Sequence, residues 1–179
     1  VKFKFLIYTL IFFIASLIQV SFLPHFGIAG VFPNLIFILF FIFLLENSQA
    51  NNQKQYYQIF FLIAIAGLFS DIFSPYSFGI SIFVLCAVYY FKEIITHFFS
   101  GESDKDSMLY FMAIFLACFF VNNIIFNFVL SLYGDHKINY SLSLFFVNLI
   151  YNSVLAAIGF YIYKKVNGFT HRSRQLKLL

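Results

Sequence analysis

The sequence predicts an all-α polytopic membrane protein with six transmembrane helices, the second of them broken near Pro33. Three observations carry this reading. Hydrophobic residues make up 62% of the 179 residues, and Phe alone occurs 30 times. Charged residues make up only 10%, against about 25% in ordinary soluble domains, too few to cover a soluble surface of this size. The apolar residues also fall in six long runs, each near the roughly 20 residues that carry a helix across a hydrocarbon core. None of the runs shows the period-two alternation of a membrane strand.

The first run, FKFLIYTLIFFIASLIQVSFL (3–23), follows Lys2 and Lys4. It is long for a signal peptide and lacks an Ala-x-Ala cleavage pattern after it, so it reads as an uncleaved first span. The second, IAGVFPNLIFILFFIFLL (28–45), is interrupted by Pro33. Proline suits the first turn of a helix but not its interior. From Pro33 to Leu45 a helix covers about 20 Å, short of the roughly 30 Å hydrocarbon core. Residues 27–32 are therefore read either as non-helical chain entering the membrane, which is tolerated only where protein or a cavity covers it, or as part of a kinked but otherwise ordinary span.

The remaining runs are YQIFFLIAIAGLFSDIF (57–73), FGISIFVLCAVYYFKEIITHF (78–98), MLYFMAIFLACFFVNNIIFNFVLSLY (108–133) and SLSLFFVNLIYNSVLAAIGFYIY (141–163). Residues 24–27, 74–77 and 134–140 read as short loops on one side, and 46–54 and 100–107 as polar loops on the other. Residues 1–166 form the six-span membrane domain and 167–179 a basic cytoplasmic tail. Tyr56, Tyr57, Tyr110, Tyr133, Tyr140 and Tyr163 lie near helix ends, where they suit the interfacial aromatic belt.

Charge sets the expected orientation. One side would carry Lys2, Lys4, Lys54, Lys92, Lys105, Lys164, Lys165, Arg172, Arg174 and Lys177, and the other only Lys137. By the positive-inside bias both termini are cytoplasmic. The net charge of +4 then belongs to the membrane's inner face and to no nucleic acid. Lys164, Lys165, Arg172 and Arg174 form a membrane-surface cluster of the kind that contacts anionic lipid. Lys92, Glu93 and His97 sit near the cytoplasmic end of the fourth span, where snorkelling would return their charges to water.

Polar groups within the spans are the informative residues. Asp71, in GLFSDIFSPYSFG (67–79), is the costliest, and a carboxylate there has to face the bundle and be hydrogen-bonded or protonated. The adjacent turn holds Pro75 and Gly79, and Ser77 is placed to cap the following helix. Asp71 lies close enough to reach the backbone N–H groups of that helix. Measured along the helices, Asp71, Asn122, Asn123 and Asn148 fall at a common depth. Asn123 and Asn127 share a face, as do Asn148 and Asn152. Ala156 and Gly159 extend the latter face as a small-residue seam, so these asparagines read first as glue between helices and second as a ligand pocket.

Catalytic patterns are missing. His25, His97, His136 and His171 have no metal-ligand spacing, and no metal or cofactor is expected. Cys86 and Cys118 read as small hydrophobes. No two carboxylates stand in helical register within a span. The expectation is a non-enzymatic protein.

Taken together, FPNLIFILFFIF (32–43), AGLFSDIFSPYSFGISIF (66–83) and VNLIYNSVLAAIGFYIYKKV (147–166) resemble the rod shape-determining protein MreD family of bacterial cell-wall elongation. The first is similar to that family's Pro-Asp-Leu start of the second hydrophobic segment, with Asn34 in place of Asp. The second is similar to its Gly-x-x-x-Asp pattern, here Gly67 and Asp71, followed by a Pro–Gly turn. The third is similar to its Asn-bearing last span and basic tail. The resemblance implies a scaffold or adaptor of the elongation complex in the bacterial inner (cytoplasmic) membrane, supporting cell shape and peptidoglycan synthesis. Its implied partners are an MreC-like periplasmic protein and, through it, an MreB-like filament and wall-synthesis enzymes. The architecture also resembles the substrate-binding membrane subunits of energy-coupling vitamin transporters. That alternative predicts a ligand pocket, although the outer loops here are short and the first helix lacks the usual small-residue docking stripe.

Overall fold

The run LIFILFFIFLL has no polar face, and the helix it forms is enclosed on all sides. In a computed structural model, which describes residues 2–28, 30–47, 53–74, 77–98, 107–132 and 142–175, six helices account for most of the chain. They are α1 (Lys2–Ser21), α2 (Leu35–Asn47), α3 (Gln53–Ile72), α4 (Ile80–Phe98), α5 (Met108–Leu132) and α6 (Leu142–Gln175), with a short 3₁₀ turn at Leu23–Phe26. Helix α2 buries Ile36, Phe37, Ile38, Phe40, Phe41, Ile42 and Leu44, which lie all around its axis. The other helices form an arc about it in the order α1, α3, α4, α5, α6, each packed on the next, while α1, α3 and α6 also pack on α2.

Aromatic rings fill the space between α2, α5 and α6. Phe37 packs on Phe115 and Phe119, and Phe41 on Phe111 and Phe115, with centroids 5.3–5.8 Å apart. Phe111 stacks on Phe160 of α6 at 4.1 Å. The 5.3–5.8 Å spacings are in the range where offset and edge-to-face pairs are favourable.

The peripheral helices are one-sided in the sense a membrane demands. Helix α5 buries Phe111, Ile114, Phe115, Cys118 and Phe119 and exposes Leu116, Phe120, Ile124 and Phe128. Helix α6 turns Ala156 and Asn152 inward and exposes Phe146, Ile150, Val154, Ile158 and Ile162, spaced four apart. Outer faces this apolar on every peripheral helix are far larger than a water-soluble monomer exposes, and they suit lipid. Three helical stretches, Ile80–Phe98, Met108–Leu132 and Ser143–Val166, are long and apolar enough to cross a membrane, and Phe5–Ser21, Leu35–Leu45 and Tyr56–Ile72 are shorter apolar helices. The protein is an all-α, multi-pass membrane protein.

Two close approaches hold the bundle together. A Cβ on Gly67 would lie 2.7 Å from the Ile82 Cα, so α3 and α4 touch backbone to backbone there. A Cβ on Gly159 would lie 3.0 Å from the Ile42 Cδ1, placing the small face of α6 against α2. Small residues at such crossings let membrane helices approach closely.

The connection between α1 and α2 takes in both the expected loop at 24–27 and the stretch at 27–32 read as non-helical chain, and α2 begins at Leu35. After Leu23–Phe26 the described residues up to Asn34 are non-helical. Ile28 and Val31 exchange backbone hydrogen bonds of 2.9 and 3.0 Å within this stretch. Pro33 is buried, as a non-helical segment beside an apolar core requires. The loops at 134–140 and 100–106, with Lys105 and Lys137, lie outside the described residues, as do Pro75 and Lys177.

Candidate functional site

Helix α2 begins inside the protein, so its first N–H groups need partners that water cannot supply. Asn34 serves as its own N-cap: its Oδ1 accepts the Phe37 N–H at 3.0 Å, and its carbonyl accepts the Ile38 N–H at 3.1 Å. Gln19 of α1 reaches across so that its Oε1 accepts the Ile36 N–H at 3.1 Å. Asn152 of α6 is fully buried, and its Oδ1 accepts the Asn34 N–H at 2.8 Å. Its Nδ2 donates to the Asn148 carbonyl at 2.8 Å and to the Asn148 Oδ1 at 2.6 Å. One helix start thus ties α1, α2 and α6 together.

Asp71 does the same for α4. Its Oδ2 accepts the Gly79 N–H at 2.7 Å and its Oδ1 the Ser81 N–H at 3.0 Å. The Asp71 backbone carbonyl accepts the Ser74 N–H at 3.1 Å, closing α3, and the Gly79 carbonyl accepts the first helical N–H of α4, from Phe83, at 3.1 Å. The carboxylate is 5% exposed and sits where the α4 dipole favours negative charge. Gly79 has φ +98°, a region that side chains disfavour. Ser81 Oγ donates to Ser70 Oγ at 3.2 Å beside the cap. Helix α4 starts at Ile80, two residues later than Phe78, and its cap comes from Asp71 in the preceding helix instead of from Ser77. A local serine has only one acceptor to offer, whereas the carboxylate satisfies two N–H groups and opposes the dipole.

The asparagines divide by what they bond. Asn152 joins two helices, as above. Asn123 Nδ2 donates to the Phe119 carbonyl at 2.8 Å and Asn127 Nδ2 to the Asn123 carbonyl at 2.7 Å, both within α5. Those two amides are therefore spent on their own helix, and the glue expected of them is supplied by Asn34, Asn152 and Gln19.

Between these two capped helix starts lies a cavity of about 510 Å³ with walls from all six helices. Ser16 and Gln19 line it from α1, Asn34 from the start of α2, and Ser70 and Ser81 from the α3–α4 side. Asn122 and Asn123 line it from α5 and Asn148 from α6, with Phe37, Phe69, Phe119 and Phe126 as its apolar walls. Asp71 stands behind Ser70 and Ser81, turned into the hairpin and away from the cavity. Gln19, missed in reading the sequence, was visible there as a lone amide three residues after Ser16, on one face of an apolar helix.

No protein-family model, curated protein or solved structure matches this chain. The site therefore has to be read from its own geometry. The described residues contain no group of three or more His, Cys, Asp or Glu side chains placed to hold a metal ion.

Lys92 corrects one expectation. Its side chain is 1% exposed and its Nζ lies 2.7 Å from the Glu93 Oε1, whose side chain is 44% exposed. The inward stripe of α4 runs through Ile80, Val84, Leu85, Val88, Tyr89 and Lys92. Lys92 therefore faces the bundle, where it cannot snorkel, and the neighbouring carboxylate compensates its charge. Lys164 and Lys165 are exposed; α6 runs on past Arg172 and Arg174 to Gln175, and the side chains of both arginines lie outside the described residues.

Proposed function

We propose that this chain is a non-catalytic scaffold of the bacterial cell-wall elongation machinery, with six spans and both termini in the cytoplasm, in the role that its resemblance to MreD implies. One observation carries the reading. The residues that carry the resemblance are the ones on which the tertiary framework depends. Pro33 and Asn34 start α2, Gly67 lets α3 touch α4, Asp71 caps α4 across the Gly79 turn, and Asn148 with Asn152 secures the start of α2. Polar groups placed inside a membrane are costly. Here they are spent on holding helices in fixed relation, which is what a docking platform needs.

The partner this role calls for is an MreC-like, membrane-anchored periplasmic protein, linked in turn to an MreB-like filament and the wall-synthesis enzymes. Co-purification after mild crosslinking in native membranes tests this. The expected product is a single-span partner with a periplasmic coiled coil.

The cavity favours a second reading, the substrate-binding membrane subunit of an energy-coupling transporter. Recovery of a pair of ATPases in the same co-purification, in place of the coiled-coil partner, would establish that reading over the first.

A further inference from the structure

The cavity carries information about what would fill it, because the amides on its wall are not free to choose their orientation. An Asn or Gln side chain has one accepting and one donating end, and its hydrogen bonds decide which points where. Gln19 must turn its oxygen to the Ile36 N–H, which leaves its NH₂ for other partners. Asn34 must turn its oxygen to the Phe37 N–H, with the same result. Asn152 must turn its oxygen to the Asn34 N–H, so its NH₂ meets Asn148 and holds the oxygen of that residue. The NH₂ of Asn148 is left over in turn.

The NH₂ groups of Gln19, Asn34 and Asn148 all belong to residues of the cavity wall. Among the described residues none of the three finds an acceptor, and neither does the Asn122 amide beside them. Yet no fully buried side-chain nitrogen or oxygen lacks a partner among the described residues, so these nitrogens retain accessible surface. Asn123 is oriented the opposite way, since its NH₂ is held by the Phe119 carbonyl. The wall formed by α1, α2 and α6 therefore offers donors.

None of the described lining residues is charged. An anion taken into such a site without a cation would be strongly disfavoured, and the Asp71 carboxylate behind Ser70 and Ser81 opposes it further. The volume lies within the roughly 300–1,000 Å³ of small-molecule sites, and phenylalanine walls with a few convergent polar groups are their usual composition.

We propose that this cavity binds a neutral small molecule rich in hydrogen-bond acceptors, bearing carbonyl or ether oxygens on an apolar or aromatic body. The site stands on the cavity and the amide orientations. It is independent of the scaffold reading and names a ligand class for the second one.

The test uses the full chain in lipid nanodiscs with two neutral, acceptor-only probes, 7-methoxycoumarin and caffeine. Naphthalene serves as a comparison without acceptors, and coumarin-3-carboxylate as an anionic one. The chain contains no Trp, so coumarin emission is read against tyrosine alone; caffeine and naphthalene are followed by competition and calorimetry. The expected result is saturable binding of at least one acceptor probe, about tenfold tighter than naphthalene, with the anion weaker still.

Gln19→Glu, read at alkaline pH where its carboxyl is ionised, keeps an oxygen for the Ile36 N–H and removes the donor, while Asn122→Leu disturbs no hydrogen bond of the fold. Each should weaken probe binding about tenfold while the unfolding midpoint of Asn122→Leu stays at the parent value. Failure of both acceptor probes to saturate would overturn the proposal. Equal affinity for naphthalene, or parent-like binding by both variants, would do so as well. None of these results bears on which protein co-purifies with the chain.

Discussion

Replacing Asp71 separates a structural carboxylate from a chemical one. In Asp71→Ala both the Gly79 and the Ser81 N–H lose their acceptor at a site only 5% exposed. An unsatisfied buried donor costs about 1–3 kcal/mol. Two such donors, offset by no longer having to bury a carboxylate, give a net loss of about 3 kcal/mol. Asp71→Asn keeps one acceptor and turns an NH₂ toward the second donor, for a loss of about 1–2 kcal/mol.

The assay is reversible unfolding in mixed micelles, with amide hydrogen exchange at Gly79 and Ser81 as a local readout. Both amides should lose protection in Asp71→Ala, and one of them in Asp71→Asn. The Phe83 amide, bonded to the Gly79 carbonyl, should be affected less. If both variants unfolded within about 0.5 kcal/mol of the parent, as ordinary surface substitutions do, while partner or probe binding disappeared, the structural account would be wrong.

The glycines of the same hairpin fail for different reasons. Gly67→Ala drives a methyl into the Ile82 backbone and should cost about 1–3 kcal/mol through overpacking, whereas Gly79→Ala has open space around its Cβ and should cost about 1–2 kcal/mol through its positive φ alone; a shortening side chain at Ile82 cannot rescue either. Asn152→Ala should destabilise by about 1–3 kcal/mol because the Asn34 N–H is left without an acceptor, while Asn127→Ala, which removes only a bond to its own helix, should change micellar unfolding by less than about 0.5 kcal/mol. At Lys92, substitution by Met preserves volume, and the remaining Glu93 charge is partly exposed, so the change should stay within about 1.5 kcal/mol. Lys92→Ala leaves a cavity in the bundle and should cost about 2–5 kcal/mol in the same assay.

Much of the fold was legible because it depends on composition and on local backbone chemistry. Pro33 cannot donate a hydrogen bond, so the start of α2 just after it follows from proline itself. Gly79 and the polar residues around it mark the α3–α4 turn in the same way. The depth shared by Asn122, Asn123 and Asn148 came from counting residues along helices, and all three line one cavity. Lys92 was not legible, because nearness to a helix end says nothing about which face of the helix a residue occupies.

Sequence alone determined that the chain is helical and made for a membrane, where its helices must break, and which polar residues needed explanation. Those properties follow from transfer energies and backbone geometry, which act residue by residue. Tertiary structure decided which acceptor meets which donor. Gln19 finds Ile36 at a separation of 17 residues and Asn152 finds Asn34 at a separation of 118. It also decided that the leftover NH₂ groups line one cavity and that Lys92 points inward. These outcomes depend on the rotation and relative height of packed helices, which are set by contacts such as Gly67 on Ile82 and Gly159 on Ile42 and leave no periodic trace along the chain.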